Sequence, residues 1–211
     1  DLFGHGTAVS GILAATANNL KGSAGVAGST NVTIVPYRCG GKNTSDTQIN
    51  ISCVVASLQK IAADSSIKVV NMSFGGTAAG IGTSAMNAMH TAVQQVASSG
   101  KVLVAAAGNN DTKGVCLYPA SFDEVISVSA TDANDQICSF SDTNDQVEVA
   151  APGNNLESAG ITGSYVTEGG TSFSSPVVAG EAAMIFAKNS ALTADEVRQI
   201  ISDTAKDLGT T

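Results

Sequence analysis

The stretch that decides the fold is Lys101-Val102-Leu103-Val104-Ala105-Ala106-Ala107-Gly108-Asn109-Asn110. It begins as a short, mostly apolar run, which is typical of a buried strand, and it ends in a glycine and two side-chain amides. An amphipathic helical pattern over Ser84–Ser98 precedes it, and the apolar run Ile67–Ser73 precedes that helix. A strand, a helix and a second strand in this order predict a parallel β-α-β unit.

The same alternation extends in both directions along the chain. Further buried strands are predicted in the β-branched runs Val32–Tyr37, Val125–Ala130 and Val147–Ala151, and a second amphipathic helix in Thr47–Ala63. We therefore predict an α/β fold with a doubly wound, mostly parallel sheet and helices on both faces. Ligands of such sheets bind at the carboxyl ends of the strands, so functional residues are expected in the segments that follow strands.

Length, composition and charge exclude several classes of protein. The chain has 211 residues, of which 43% are hydrophobic and 13% charged, which predicts one globular domain with a sizeable core. Its net charge of -8 offers no basic surface for nucleic acid or anionic lipid. No apolar run approaches the roughly 20 residues that a membrane-spanning helix needs. We expect a monomer that binds neither nucleic acid nor membranes.

The four cysteines, Cys39, Cys53, Cys116 and Cys138, lack the two-residue spacing of zinc sites and redox motifs. Their even number favours disulfides, with buried free thiols as the alternative. Because loop closure favours nearest pairs, we expect Cys39 to pair with Cys53 and Cys116 with Cys138. Disulfides agree with a secreted, extracellular protein.

His5 lies between glycines in Gly4-His5-Gly6-Thr7, just before the small-residue helical run Ala8–Ala17. A histidine can take up and return a proton near neutral pH, which suits a general base. An isolated histidine is more often an ordinary polar residue at a helix start. We interpret His90 as an ordinary polar residue without a catalytic role.

Ser172 stands in Gly169-Gly170-Thr171-Ser172-Phe173-Ser174-Ser175-Pro176, at the predicted start of an apolar helix. Backbone N–H groups and the positive end of the helix dipole converge there, which suits a nucleophile that generates an oxyanion. The alternative is that Ser172 or Ser174 only caps the helix. Asn109 either donates to an oxyanion or simply forms a turn.

Together these three segments resemble the subtilisin-like serine peptidases, which have a His-Gly-Thr segment, a small-residue strand ending in Gly-Asn, and Gly-Thr-Ser before Ser-Pro. The resemblance includes Val69–Gly76 and Ala150–Gly153 and covers nearly the whole chain. It implies that His5 is the general base and Ser172 the nucleophile. Asn109 is then the side-chain oxyanion donor beside the backbone N–H of Ser172.

The resemblance also implies a polypeptide substrate and, as a further partner, a propeptide. The substrate backbone would pair with Ser73-Phe74-Gly75, and Ala106-Ala107-Gly108 would flank the pocket for the residue before the cleaved bond, with Leu117 at its floor. Because these walls hold no charged side chain, we expect the pocket to accept apolar or aromatic residues. The chemistry requires no cofactor. Calcium is common in the family, and oxygen atoms of the loop at Asn18-Asn19 are the candidate ligands of a structural calcium ion.

The chain departs from the family pattern in its histidines and its aspartate. Ala8 and Val177 stand where many members have further histidines outside the triad. The family aspartate lies about thirty residues before the histidine. Because Asp1 is too close to His5 for that role, we expect the aspartate to lie outside these residues. The chain would then be a partial domain, truncated at both ends and nearly inactive alone.

Two other enzyme classes fit the sequence less well. Gly80-Ile81-Gly82-Thr83-Ser84-Ala85 matches a dinucleotide-binding pattern, but Ser73–Ala79 separates it from the preceding strand, and no acidic residue follows at the required distance. An α/β-hydrolase would need Gly-x-Ser-x-Gly, and Ser174 occupies the place of its last glycine. The main alternative is a peptide-binding or inhibitory relative that has lost catalysis.

Overall fold

The structure is a computed structural model that describes residues 3–40 and 48–209. The helices in this part of the chain are α1 (His5–Ala14), α2 (Ile51–Ala63), α3 (Ala78–Ile81), α4 (Thr83–Ser98), α5 (Thr171–Lys188) and α6 (Ala194–Thr204). None of these helices has the length and apolar character needed to cross a membrane.

The strands are short, and four of the eight described strands belong to one sheet. They are β1 (Val69–Met72), β2 (Gly76–Thr77), β3 (Val102–Ala106), β4 (Leu117–Tyr118), β5 (Val125–Thr131), β6 (Val147–Pro152), β7 (Leu156–Ala159) and β8 (Tyr165–Glu168). The main sheet has the order β1-β3-β5-β6, and all of its neighbours are parallel. Two small antiparallel pairs, β2-β4 and β7-β8, flank it.

The two central strands explain why the fold could be recognised from short apolar runs. Every residue of β3 and β5 is buried, as is usual for a parallel sheet with helices on both faces. Leu103 and Ala105 pack with α2 and α4, whereas Val102 and Val104 pack with α5 and α6. This alternation gives each face of the sheet its own core. The predicted fold class is confirmed.

The predicted strand at Val32–Tyr37 is wrong. The segment has no strand pairing in the described chain, and Ile34, Val35 and Tyr37 are exposed. Its β-branched pattern suits a strand, but a strand also needs a hydrogen-bonding neighbour. In the described residues β1 forms its ladder with β3 alone.

The predicted helix over Thr47–Ala63 begins later, at Ile51. The Asn50 side chain accepts a hydrogen bond from the Cys53 N–H at 2.9 Å and so caps the first turn. Thr47 lies outside the described residues.

The cysteine predictions are half right. Cys39 and Cys53 form a disulfide with a Cα–Cα distance of 5.3 Å, whereas Cys116 and Cys138 are free thiols. The residues beside Cys116 face a different part of the chain: Gly114 N–H donates to Thr143 O at 2.8 Å, and Asn144 Nδ2 donates to Val115 O at 2.9 Å. Cys138 is instead held beside β5, where its N–H donates to Ala130 O. The prediction that Cys116 pairs with Cys138, which rested on their nearness in sequence, is therefore wrong.

The disulfide should stabilise the fold measurably, because it closes a loop with a sequence separation of 14. The chain-entropy model assigns such a loop about 3 kcal/mol. We expect Cys39→Ser to lower the melting temperature under non-reducing conditions by several degrees, measured by thermal unfolding. The control is Cys116→Ser, which removes a free thiol and should leave the midpoint nearly unchanged. Equal effects of the two substitutions would contradict the assignment.

Candidate active site

The two residues proposed to do the chemistry lie at the starts of two packed helices. His5 is the first residue of α1, and Ser172 is the second residue of α5. The His5 ring lies against Phe173, with ring centroids 5.5 Å apart. The structure therefore brings the histidine to the residue that follows the serine, although 167 positions separate His5 from Ser172 in the chain.

The Ser172 hydroxyl is held from the side of β1. Its Oγ donates to the carbonyl of Ser73 at 3.4 Å, and Ser73 Oγ donates to the carbonyl of Ser172 at 2.7 Å. Within the described residues, Ser172 Oγ forms no hydrogen bond with His5. Catalytic hydrogen bonds are often long or absent in a free enzyme and tighten when substrate binds.

A half-buried amide, that of Asn71, supports Ser73. Asn71 Nδ2 donates to Ser73 Oγ at 2.9 Å, and Ser175 Oγ donates to Asn71 Oδ1 at 2.6 Å. These hydrogen bonds, from Ser175 through Asn71 to Ser73, link α5 to the end of β1. Sequence reasoning did not single out Asn71. Its signal was a polar residue inside an otherwise apolar strand.

Asn109 is oriented by the residue before the serine. Its Oδ1 accepts hydrogen bonds from Thr171 N–H at 2.8 Å and from Thr171 Oγ1 at 2.9 Å. Thr171 Oγ1 in turn accepts from Gly108 N–H at 3.1 Å, and Thr171 is completely buried. With its oxygen engaged, the Asn109 amide has its N–H donors left to offer. Thr171 was another residue to which sequence reasoning assigned no role.

Gly170 keeps space open beside the Asn109 amide. Its φ of 143° is one that residues with a Cβ rarely adopt, and a Cβ there would lie 3.2 Å from Asn109 Nδ2. The same glycine precedes the first turn of α5, where Thr171 N–H donates to Asn109 Oδ1 and Phe173 N–H donates to Gly170 O. The Asn109 amide therefore lies at the start of α5, beside the residue that precedes Ser172.

The predicted pocket residues also meet in space. Pairing of β2 with β4 sets Thr77 opposite Leu117. A Cβ on Gly75 would lie 3.4 Å from Leu117 Cβ, and a Cβ on Gly108 would collide with Leu117 Cδ1. The buried Leu117 therefore lies between the two predicted walls. Their further members Phe74, Ala106 and Ala107 belong to the same segments, with both alanines buried.

The charge on His5 is controlled by two opposing influences. Burial of part of the ring lowers the His5 pKa, and the negative charge of Glu168 raises it, with burial dominating. The imidazole is consequently neutral at pH 7, the form that accepts a proton. Glu168 is the last residue of β8, a few residues before Ser172.

Comparison with known proteins then decides the family. The profile of the Subtilase family (Peptidase_S8) matches residues 1–211. The chain belongs to the subtilase family.

Curated subtilases match almost all of the chain. It is 39% identical over 209 residues to subtilisin DY of Bacillus licheniformis, covering 98% of this chain and 72% of that protein. Thermitase of Thermoactinomyces vulgaris is 36% identical, with 99% and 69% covered. The halolysin-like extracellular serine protease Nep of Natrialba magadii is 37% identical, with 97% and 35% covered. The chain thus spans between about a third and three quarters of these relatives.

Solved structures agree with the family assignment. A cold adapted subtilisin-like serine proteinase superimposes with a TM-score of 0.83 at 31% identity, covering 100% of this chain and 71% of that one. A protease from Pseudoalteromonas arctica gives a TM-score of 0.85 at 30% identity, with 98% and 65% covered.

Glu168 should tune the pH at which this subtilase site titrates. Because the Glu168 charge raises the His5 pKa, Glu168→Gln should lower that pKa further and leave the imidazole neutral to a lower pH. An NMR pH titration of the ring protons measures this shift directly, with His90 as an internal reference.

The matched control is Glu157→Gln, on the partner strand of the same hairpin, opposite Thr167. It should leave the His5 titration in place. A Glu168→Gln variant whose His5 pKa rises, or does not move, would show that the electrostatic account is wrong.

Proposed function

We propose that the chain supplies the nucleophile, general base and oxyanion donor of a serine endopeptidase. The observation that carries this proposal is the Asn109 amide, fixed by Thr171 immediately beside Ser172. The names of its relatives, such as alkaline protease and extracellular serine protease, support peptide hydrolysis.

The substrate is an extended polypeptide. Its backbone lies along Ser73-Phe74-Gly75, and the side chain before the cleaved bond enters the pocket formed by Ala106-Ala107-Gly108 and Leu117. This places the scissile carbonyl at Ser172. The segment follows β1, which in the described residues is an edge strand paired with β3 alone, and this supports edge pairing with a peptide.

Catalysis begins when Ser172 Oγ attacks the scissile carbonyl carbon and His5 takes the hydroxyl proton. The carbonyl oxygen becomes an oxyanion, which accepts hydrogen bonds from Asn109 Nδ2 and from the backbone N–H of Ser172. His5 then gives the proton to the leaving amine, and an acyl-enzyme remains. Water, deprotonated by His5, attacks the acyl carbon, and His5 returns the proton to Ser172 Oγ as the ester bond breaks and the acid product leaves.

A carboxylate is needed to orient His5 and stabilise its protonated form. In the described part of the chain, no carboxylate hydrogen-bonds to the His5 ring. We propose that an aspartate outside the 211 residues supplies this group, and that the chain is a partial catalytic domain. Such a piece would be nearly inactive alone.

The proposed enzyme is a secreted monomer that needs no cofactor for the reaction itself. The Cys39–Cys53 disulfide and the extracellular relative support secretion. No group of three or more His, Cys, Asp or Glu side chains capable of holding a metal occurs in the described residues. A calcium ion at the Asn18-Asn19 loop would have to rely on carbonyl and amide oxygens. A propeptide stays a proposed partner.

The proposed mechanism predicts that Ser172 alone is modified by a serine-directed peptide phosphonate. The experiment uses the chain extended upstream to include the proposed aspartate, and mass spectrometry locates the adduct. Ser172→Ala should abolish labelling. Ser174→Ala is the matched control on the same helix and should still be labelled.

The 211 residues alone form the second arm of this experiment. Their labelling should be slower by about four orders of magnitude, the loss known when a triad aspartate is replaced. An adduct on Ser174 or Ser175 would overturn the Ser172 assignment. Absence of any adduct on the extended chain would favour a non-catalytic peptide-binding relative.

The pocket predicts cleavage after apolar or aromatic residues, because a buried Lys or Arg side chain would find no charged partner among its proposed walls. A peptide library profiled with the extended chain should show this preference, and Leu117→Ala should shift it toward larger aromatic residues. Ile137→Ala, at an exposed apolar residue, is the control and should keep the original profile. A profile dominated by basic residues would contradict the pocket assignment.

A further inference from the structure

The loop after Asn109 is held by one buried carboxylate. Asp142 is completely buried. Its Oδ1 accepts hydrogen bonds from Asn110 N–H at 2.9 Å, Thr112 N–H at 2.9 Å and Thr112 Oγ1 at 2.7 Å. Its Oδ2 accepts from Asn110 Nδ2 at 2.9 Å. All four donors belong to the three residues that follow Asn109.

Asp142 also holds the residue before Asn109. Its own N–H donates to Gly108 O at 2.9 Å. The carboxylate packs so closely on Gly108 that a Cβ there would collide with Oδ2, and Gly108 has a φ of 126°, which favours glycine. The backbone is therefore fixed by one residue on both sides of Asn109.

Neighbouring backbone hydrogen bonds extend this attachment. Asp111 N–H donates to Phe140 O at 3.0 Å, and Thr143 N–H donates to Thr112 O at 3.1 Å. The segment Phe140–Thr143 thus lies along the loop after Asn109 and is hydrogen-bonded to it. Asp142 is the one charged residue among these four.

The charge of Asp142 is balanced by dipoles alone. Within the described chain it forms no salt bridge. Burial opposes ionisation, but the hydrogen bonds from Thr112 and Asn110 outweigh it and hold the Asp142 pKa below its ordinary value. The carboxylate is therefore ionised at neutral pH, and loss of its charge would leave buried donors with a poorer acceptor.

We propose that Asp142 is a positioning residue for the oxyanion site, which fixes the backbone on both sides of Asn109 and thereby aims the Asn109 amide. The inference rests on the proposed function, because it assumes that Asn109 donates to an oxyanion. Asp142 does not touch the substrate. Through Asn109 it stabilises the transition state, in which the oxyanion forms, more than the bound substrate. Its loss therefore lowers kcat and leaves KM nearly unchanged.

The test is a double-mutant cycle in the extended chain. Asp142→Asn keeps the size of the side chain but turns one acceptor into a donor that faces the donors of Asn110 and Thr112. We expect kcat to fall by about tenfold or more with KM within about twofold. Asn109→Ala should cost about a hundredfold or more, the loss known for subtilisin's own oxyanion asparagine.

The decisive readout is the effect of Asp142→Asn when Asn109 is already alanine. If Asp142 acts by aiming Asn109, its substitution costs almost nothing further in that background. If the two losses multiply, Asp142 supports only the general fold and the proposal is overturned. An unchanged kcat in Asp142→Asn, or a rise in KM that accounts for the whole loss, also overturns it.

Asp132→Asn is the matched control. Asp132 similarly accepts backbone hydrogen bonds, from Asn134 and Gln136, but in an exposed turn. Its substitution should leave kcat and KM as they were. Should Asp142→Asn fail to fold, Thr112→Val removes only the hydroxyl donor and should give a smaller fall in kcat with the same dependence on Asn109.

Phosphonate labelling separates failure of this inference from failure of the proposed function. If the extended chain without substitutions is labelled at Ser172 but Asp142→Asn shows no coupling to Asn109, only the role of Asp142 is wrong. If the extended chain is not labelled, the proposed function and this inference fail together.

Discussion

Two hydrogen bonds from Thr171 to the side-chain oxygen of Asn109 join the end of β3 to the start of α5. The site depends on this junction, because it fixes an amide donor beside the residue that begins the helix. Gly170 makes the close approach sterically feasible, because a Cβ there would lie 3.2 Å from Asn109 Nδ2. The buried strands β3 and β5 and the buried helix α5 then keep both ends of the junction rigid. The positions of the polar groups at the carboxyl end of β3 therefore depend on the apolar packing of these strands and this helix.

The proposed mechanism relies on electrostatic preorganisation by groups that carry little or no net charge near the reacting atoms. The Asn109 amide lies beside the start of α5 and the His5 ring lies against Phe173, while the charged Asp142 lies behind the loop and Glu168 raises the His5 pKa from β8. Such dipoles are already oriented before the reaction, so the developing oxyanion does not have to reorganise its surroundings. In this mechanism the charged groups, Asp142 and Glu168, influence Asn109 and His5 and do not contact the substrate themselves.

Sequence reasoning succeeded where a local pattern carries the information. The runs that became β3 and β5 are apolar throughout because both faces of a parallel strand are covered, and the Gly-Thr-Ser motif placed Ser172 at a helix start. It failed where a partner distant in sequence decides the outcome. In the described residues Val32–Tyr37 has a strand pattern without a paired neighbour, and Gly114 and Val115, just before Cys116, form hydrogen bonds with Thr143 and Asn144. The supporting roles of Asn71 and Asp142 depend on contacts across 104 and 30 or more positions, which no local pattern encodes.

The most direct measurement of the central claim is a crystal structure of the extended chain with a peptide boronic acid, which mimics the tetrahedral intermediate. The account predicts a covalent bond from boron to Ser172 Oγ, with one boronate oxygen within hydrogen-bond distance of both Asn109 Nδ2 and the Ser172 N–H, and Asn109 Oδ1 still bound to Thr171. A boronate attached to another serine, or one whose oxygens all lie beyond reach of the Asn109 amide, would contradict it.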